Sequence, residues 1–143
     1  MIGLENSLPA MVWNEEDASG DEASGSAEVR IPRASTVTGM SQCFPSGPGR
    51  TYRLGGTARL LELVEGVQPV VALWAHENAT CTAATSSAKW VYFDSSTDWM
   101  TSGDRFTTPE GTVAVAFVVI MNKPGVPGVV PALFDDLFVV EEQ

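Results

Sequence analysis

The chain has 143 residues, 44% of them hydrophobic, which is enough for one domain with a sizeable core. Its 8 basic and 18 acidic residues give a formal net charge of −10. This balance argues against nucleic acid or anionic membrane surfaces as partners, because both reward clustered positive charge. The longest apolar run, within residues 113–121, is too short to span a bilayer as a helix, so no membrane insertion is expected.

The predicted elements are short strands separated by turns. Residues 14–26 are acidic and rich in Ser, Gly and Ala, which predicts a loop, and residues 27–31 then alternate apolar and polar side chains as a half-buried strand does. A Pro/Gly turn occupies residues 45–49, and a Gly/Pro hairpin or loop occupies residues 124–131. The other clear strands are predicted over residues 52–60, 67–76, 89–93, 112–121 and 132–140.

One segment, residues 57–65, also matches a helical face through Leu60, Leu61 and Val64. A strand is favoured there because Gly55 and Gly56 precede it and residues 52–60 alternate well. Roughly seven or eight strands with frequent turns indicate an all-β fold, an antiparallel β-sandwich. We expect a single domain over residues 1–143.

The last predicted strand contains two adjacent carboxylates, Asp135 and Asp136. Like charges inside an apolar strand are costly unless a strand end, a bound cation or a solvated edge offsets them. Neighbouring residues of a strand point to opposite faces, so the two side chains do not easily converge on one substrate. The pair therefore bears on fold and stability more than on catalysis.

The chain carries, in order, Gly3-Leu4-Glu5, Ser24-Gly25-Ser26-Ala27-Glu28-Val29, Ser41-Gln42-Cys43, Gly49-Arg50-Thr51-Tyr52-Arg53-Leu54 and Phe134-Asp135-Asp136-Leu137. This order, which runs over nearly the whole chain, resembles the jelly-roll carbohydrate-binding modules of secreted bacterial proteins, in the galactose-binding-like group. The resemblance implies a jelly roll that binds a polysaccharide or glycoconjugate. It also implies a secreted or cell-surface location and attachment to other domains in a longer parent protein.

The resemblance further implies a structural calcium ion where the two chain ends meet. Glu5 and Asp135 would be side-chain ligands, with Asp136 as the alternative, and backbone carbonyls from residues 17–28 would complete a shell of six to eight oxygens. The other interpretation is that the aspartates cap turns or accept backbone hydrogen bonds. An EF-hand over residues 17–28 is rejected, because Glu22 stands where that loop requires glycine.

The two cysteines, Cys43 and Cys81, are 38 positions apart. On residue type alone they are either buried free thiols or a disulfide, which would close a loop worth about 4 kcal/mol in the chain-entropy model. The resemblance implies the disulfide, because related modules place cysteines at these two points. A disulfide in turn favours an oxidising compartment.

The candidate ligand-binding residues are Trp74, His76, Trp90, Tyr92, Arg53 and Arg59. Alternation puts Trp74 with His76 on one strand face, and Trp90 with Tyr92 on another. If these positions share a sheet face with Ala114 and Ala116, they form an aromatic-walled groove with an alanine floor, with the arginines beside it. The alternative is that both tryptophans belong to the core, because large aromatic side chains are more often buried. Trp13 and Trp99 are assigned to the core or to loop anchoring.

Catalysis is not expected. The sequence has no nucleophile elbow, zinc-binding His pair or phosphate-binding glycine loop, and it has a single histidine. Its acidic residues cluster in the first loop and at the C-terminal end, whereas a glycosidase needs two facing carboxylates in a cleft. The expected function is non-catalytic binding of carbohydrate. The alternatives are a structural or protein-interaction domain of the same fold without a sugar site, and a small hydrolase or lyase.

Overall fold

The computed structural model describes residues 11–14, 18, 26–29, 35–126 and 130–143. Within these ranges the chain forms nine strands, with no helix among them. The strands are β1 (Met11–Asn14), β2 (Ser26–Val29), β3 (Ser35–Pro45), β4 (Thr51–Leu60), β5 (Gln68–His76), β6 (Thr85–Tyr92), β7 (Met100–Thr107), β8 (Ala114–Lys123) and β9 (Ala132–Glu141). In this described part, no helix is long and apolar enough to cross a membrane.

The strands form two antiparallel sheets. The five-stranded sheet has the order β1-β2-β9-β4-β7, and the four-stranded sheet has the order β3-β8-β5-β6. From β3 onwards every connection except the β5–β6 hairpin passes from one sheet to the other. The predicted antiparallel β-sandwich of jelly-roll type is confirmed, and β4 is a strand throughout its length, as the alternation of residues 52–60 predicted.

The core lies between the two sheets. It is built from alternate residues of the central strands, because successive side chains of a strand point to opposite faces. The main contributors are Tyr52, Leu54, Ala58 and Leu60 of β4, Val71, Leu73 and Ala75 of β5, Val115, Phe117, Val119 and Met121 of β8, and Phe134 of β9. The strands β5 and β8 are also buried on their other face, where a second cluster consists of Val70, Ala72, Ala116, Val118 and Ile120. Two-sided burial explains why their sequences read as nearly continuous apolar runs.

Two long strands, β3 and β7, were not predicted. Both are edge strands of their sheets and consist largely of Ser, Thr, Gly and other small or polar residues. An edge strand is held by ladder hydrogen bonds on one side and needs few buried side chains, so its sequence carries little alternation. The strand β6 also begins four positions earlier than the predicted 89–93 segment, in the polar stretch from Thr85.

The Asp135-Asp136 pair lies at an irregularity of β9. The register against β4 passes from Gly55–Phe138 to Thr57–Asp135, so Asp136 and Leu137 together face the single residue Gly56. An extra residue of this kind is a β-bulge, which interrupts the ladder and turns a side chain away from the sheet. Asp136 has a φ of 50° and is exposed. The bulge explains how two adjacent carboxylates are accommodated in an apolar strand.

Candidate functional site

Three aromatic side chains meet on the outer face of the four-stranded sheet. Trp90 pairs with Ala72 and Tyr92 pairs with Val70 across the β5–β6 ladder. Trp74 is two residues from Ala72 on β5, so its side chain lies on the same face. The rings of Trp74 and Trp90 are in contact, with centroids 5.8 Å apart and planes tilted by 51°. Trp90 is 37% exposed and Tyr92 is 49% exposed, whereas Trp74 is half-buried behind them. The structure therefore brings the three predicted aromatics together, with two of them accessible.

The predicted disulfide between Cys43 and Cys81 is confirmed, with Cα atoms 6.1 Å apart. Cys43 belongs to β3 and Cys81 to the β5–β6 connection, yet β8 lies between β3 and β5 in the sheet. The connection must therefore cross the outer face of β8 to reach its partner. Cys81 packs on the outer cluster that contains Ala116, the residue paired with both Cys43 and Trp74.

The prediction of an open alanine floor is wrong. Ala114 is 0% exposed and Ala116 is 2% exposed, because the disulfide-held connection crosses this end of the face. Small side chains suit a position where a loop passes close to a strand. His76 lies at the same end, is only 4% exposed, and has its Nδ1 atom 2.9 Å from the carbonyl oxygen of Ala83. The accessible part of the face is the Trp90–Tyr92 end.

Among the residues that the structure describes, two ring nitrogens on this face have no hydrogen-bond partner, Nε1 of Trp74 and Nε2 of His76. The Ala83 carbonyl can only accept, so Nδ1 of His76 carries a proton and donates it to that oxygen. Nε1 of Trp74 is a donor. Both nitrogen atoms are buried, so they lie beneath the accessible surface of this face.

The predicted arginines do not lie beside the aromatics, which corrects the expectation from sequence. Arg53 and Arg59 belong to β4, the neighbour of β7 and β9 in the five-stranded sheet, and alternate with its core residues. Both therefore project from the opposite side of the sandwich. Nε of Arg53 lies 3.4 Å from a carboxylate oxygen of Glu142, and the guanidinium of Arg59 lies over the ring of Trp99, 5.9 Å from its centroid.

The structure describes only some of the predicted calcium ligands. Glu5 lies outside the described residues. Asp135 uses both carboxylate oxygens as acceptors: Oδ2 from the backbone N–H of Ala18 at 3.0 Å, and Oδ1 from the N–H of Asp136 at 2.8 Å. Among the residues that the structure describes, no three His, Cys, Asp or Glu side chains gather around one point. Asp135 nevertheless binds the backbone N–H of Ala18, which belongs to the stretch where the resemblance puts carbonyl ligands.

Sequence reasoning missed a set of residues on the outer face of the five-stranded sheet, namely Arg105, Phe138 and Glu142. They lie on or beside β7 and β9, and only the β4–β7 and β4–β9 pairings bring them next to Arg53. On the neighbouring edge, Nζ of Lys89 lies 2.9 Å from the carboxylate of Asp104 and so joins β6 to β7. That hydrogen bond, together with one from the Arg105 backbone N–H, lowers the pKa of Asp104 below the usual aspartate value.

The fold is shared with solved carbohydrate-binding modules, which confirms the predicted resemblance at the level of fold. One, described as the second family 16 carbohydrate-binding module, covers 95% of this chain and 89% of its own length with a TM-score of 0.64 and 19% identity. A module described as CBM4 has a TM-score of 0.57 and 18% identity over 83% of this chain and 72% of its own.

Two larger proteins also contain the fold. The CBM22-1 and GH10 modules of Clostridium thermocellum endo-1,4-β-D-xylanase 10B, complexed with xylohexaose, match 93% of this chain with a TM-score of 0.58 and 10% identity. Tailspike protein 4 of bacteriophage CBA120 matches 96% of the chain with a TM-score of 0.61 and 11% identity. The match covers 25% of the xylanase chain and 17% of the tailspike chain. No protein-family model and no curated protein matches the sequence.

Proposed function

We propose that this chain is a non-catalytic carbohydrate-binding module that holds a polysaccharide or glycoconjugate on the outer face of its four-stranded sheet. One observation carries the proposal: Trp90 and Tyr92 stand exposed side by side, with Trp74 packed behind Trp90. Sugar rings present apolar C–H faces that pack against aromatic rings. An aromatic platform on this fold is therefore suited to a glycan.

The net charge of −10 is compatible with neutral glycans at this face. Trp90 and Tyr92 provide the stacking area, and Trp74 packs behind Trp90 and supports its ring.

We place the module in a secreted or cell-surface bacterial protein, attached to further domains. The disulfide supports an oxidising compartment, where such bonds persist. The xylanase and the tailspike each carry the fold as a minor part of a longer chain, which supports a modular parent. The proposed secreted location does not depend on which glycan the chain binds.

A structural calcium ion is part of the proposal. Asp135 is the side-chain ligand within the described residues, and it accepts the backbone N–H of Ala18 from the stretch expected to give carbonyl ligands. Glu5 and backbone carbonyl groups from residues 17–28 would supply further oxygens of the kind that Ca²⁺ takes, with Asp136 as the alternative to Asp135. The ion would stabilise the joint between β9 and the early chain segments and would have no part in chemistry.

The test is a screen of neutral oligosaccharides by glycan array, followed by calorimetric titration of any hit. We expect Trp90→Ala and Tyr92→Ala each to weaken binding by about 10-fold or more, the range of a central contact residue. Phe138→Ala is the matched control, because Phe138 is also aromatic and 36% exposed but lies on the other sheet. It should bind neutral glycans as the wild type does.

Three results would overturn the proposal. If no glycan binds and the three aromatics can be replaced without effect, the rival interpretation of a structural or protein-interaction domain stands. If incubation with a polysaccharide releases shorter products, the chain is a hydrolase or lyase. Retained binding in the Trp90 and Tyr92 variants would locate the site elsewhere on the molecule.

A further inference from the structure

The outer face of the five-stranded sheet contains two arginines directly opposite each other. Arg53 of β4 and Arg105 of β7 are register partners, an arrangement that destabilises a sheet through like-charge repulsion. One carboxylate oxygen of Glu142 lies 3.4 Å from Nε of Arg53 and 2.9 Å from Nε of Arg105. The two cations are therefore held beside each other by a single shared anion.

An open pocket of about 250 Å³ lies next to this pair. It is lined by Arg53, Leu54, Gly103, Asp104, Arg105 and Phe138. Its volume is near the lower end of small-molecule pockets, about 300–1,000 Å³, and suits one sugar residue better than a long chain. Asp104 contributes to the lining, but its carboxylate is held by Lys89 at 2.9 Å.

Gly103 lines the pocket, and its register partner Gly55 lies next to it. Gly55 and Gly103 are register partners, and a Cβ atom added to Gly55 would come within 2.8 Å of the Gly103 Cα atom and 3.1 Å of the Phe138 ring. The ring of Phe138 thus lies against the glycine pair and stands as a wall beside the two guanidinium groups. Arginines and an aromatic wall around a bare backbone floor favour a ligand that is both ring-shaped and anionic.

The charge distribution supports the same class of ligand. Arg50, Arg53 and Arg105 lie together at one end of β4 and β7, so three of the 8 basic residues of a chain with net charge −10 are found there. A guanidinium carries five N–H donors in a planar fork that matches a carboxylate. Arg53 and Arg105 each keep donors for a second acceptor while they contact Glu142.

We propose that Arg53, Arg105 and Phe138 form a second, separate binding site for an acidic sugar, a uronic acid residue of a glycan. Its carboxylate accepts hydrogen bonds from the two guanidinium groups, and its ring packs against Phe138. Glu142 occupies the arginine pair when no ligand is present and competes with the incoming carboxylate. The site depends on neither Trp90 nor Tyr92.

The probe is trigalacturonate, titrated calorimetrically at low salt, with its methyl ester as the uncharged analogue. We expect trigalacturonate to bind and the ester to bind at least about 10-fold more weakly, because hydrogen bonds between charged groups carry the contact. Arg105→Ala and Arg53→Ala should each lose about 10-fold, and Phe138→Leu should lose several-fold. Glu142→Gln should bind several-fold more tightly, since it removes the competing charge.

Arg50→Ala is the control, because Arg50 forms a comparable exposed ion pair with Glu141 but does not line the pocket. It should bind as the wild type does. Equal affinity for acid and ester, unchanged binding in the Arg105 and Arg53 variants, or equal binding of an aspartate-rich peptide would overturn the proposal. Loss of trigalacturonate binding in Trp90→Ala, with Arg105→Ala unaffected, would assign acidic glycans to the aromatic face instead.

Discussion

The two outer faces of this sandwich differ in chemistry although they belong to the same small fold. The four-stranded sheet presents aromatic and aliphatic side chains, with part of its surface covered by a connection that the Cys43–Cys81 disulfide holds down. The five-stranded sheet presents arginines, threonines and a shared glutamate around a pair of glycines. A jelly-roll fold therefore leaves the chemistry of each face open, and binding properties must be argued face by face.

The difference follows from how each face meets solvent. The strands β5 and β8 are buried on both sides, so their outer residues are nearly as apolar as the core residues. The strand β4 has core residues on one side and a solvated row with Arg53, Thr57 and Arg59 on the other. Covering a sheet face removes the need for polar side chains there, and a solvated face retains them.

Removing the disulfide should have the largest effect on the difference between the two faces. Replacing both Cys43 and Cys81 by serine removes the constraint on a loop of 38 positions, and we expect a loss of about 4 kcal/mol in unfolding free energy. The cover over Ala114 and Ala116 should loosen, so the four-stranded face should alter while the Arg53–Arg105 pocket should not. Denaturant unfolding gives the energy, and backbone NMR shifts give the location. A shift pattern spread equally over both sheets would contradict this prediction.

Gly55→Ala tests the other face. The new Cβ would approach the backbone oxygen of Ser102 and the Gly103 Cα atom too closely, so the β4–β7 ladder must move. We expect a loss of about 3 kcal/mol, typical of severe backbone strain. Gly103→Ala is the matched variant, because its Cβ meets nothing nearer than 3.1 Å and its cost should be clearly smaller. Equal thermal stability of the two variants would show that the glycine pair is not tightly constrained.

Calcium should stabilise the joint around Asp135. A ligand that binds only the native state at 100 times its dissociation constant adds about 2.7 kcal/mol, so the melting temperature should rise with calcium and fall with EDTA. Asp135→Asn should remove this dependence, while Asp104→Asn, a change of the same kind on β7, should keep it. If the melting temperature of the wild type changes with neither calcium nor EDTA, the structural ion is excluded.

The smallest expected effect concerns the contact between the sheet edges. The hydrogen bond from Lys89 lowers the pKa of Asp104 in the folded state, so its contribution to stability is present above the unfolded aspartate pKa. It is lost as the pH falls through the folded pKa, below about pH 4. The wild type should therefore lose slightly more stability than Asp104→Asn between about pH 5 and pH 2. Because the carboxylate is exposed, added salt should reduce the difference.

Most central strands of the sandwich could be predicted from the sequence, whereas two edge strands could not. The strand β4 was visible because its apolar and polar residues alternate, and β5, β8 and β9 were visible because each carries a run of apolar residues. The edge strands β3 and β7 were invisible, because ladder hydrogen bonds form between backbones and leave little trace in residue type. The disulfide was predicted from the resemblance to a known family, since residue type alone left free thiols open.

At the candidate sites, the residue pattern predicted which side chains of one strand share a face. It could not predict which residues of other strands lie beside them. Alternation correctly indicated that Trp90 and Tyr92 share a face, and equally that Arg53 and Arg59 do. It could not indicate that these two faces lie on opposite sides of the molecule, because the sheet to which a strand belongs is decided by pairing with distant strands. The Arg53–Arg105 contact joins residues 52 positions apart and was therefore missed.

The sequence by itself determined the all-β character, the core faces of the central strands, the acidic balance and the residues capable of stacking on a sugar. These depend on side-chain period and composition, which are local properties. Only the tertiary structure decided that the disulfide-held connection covers the alanines, that Asp135 and Asp136 sit at a bulge, and that two arginines share one glutamate. Those outcomes depend on strand register and sheet order, and contacts between residues distant in sequence determine both.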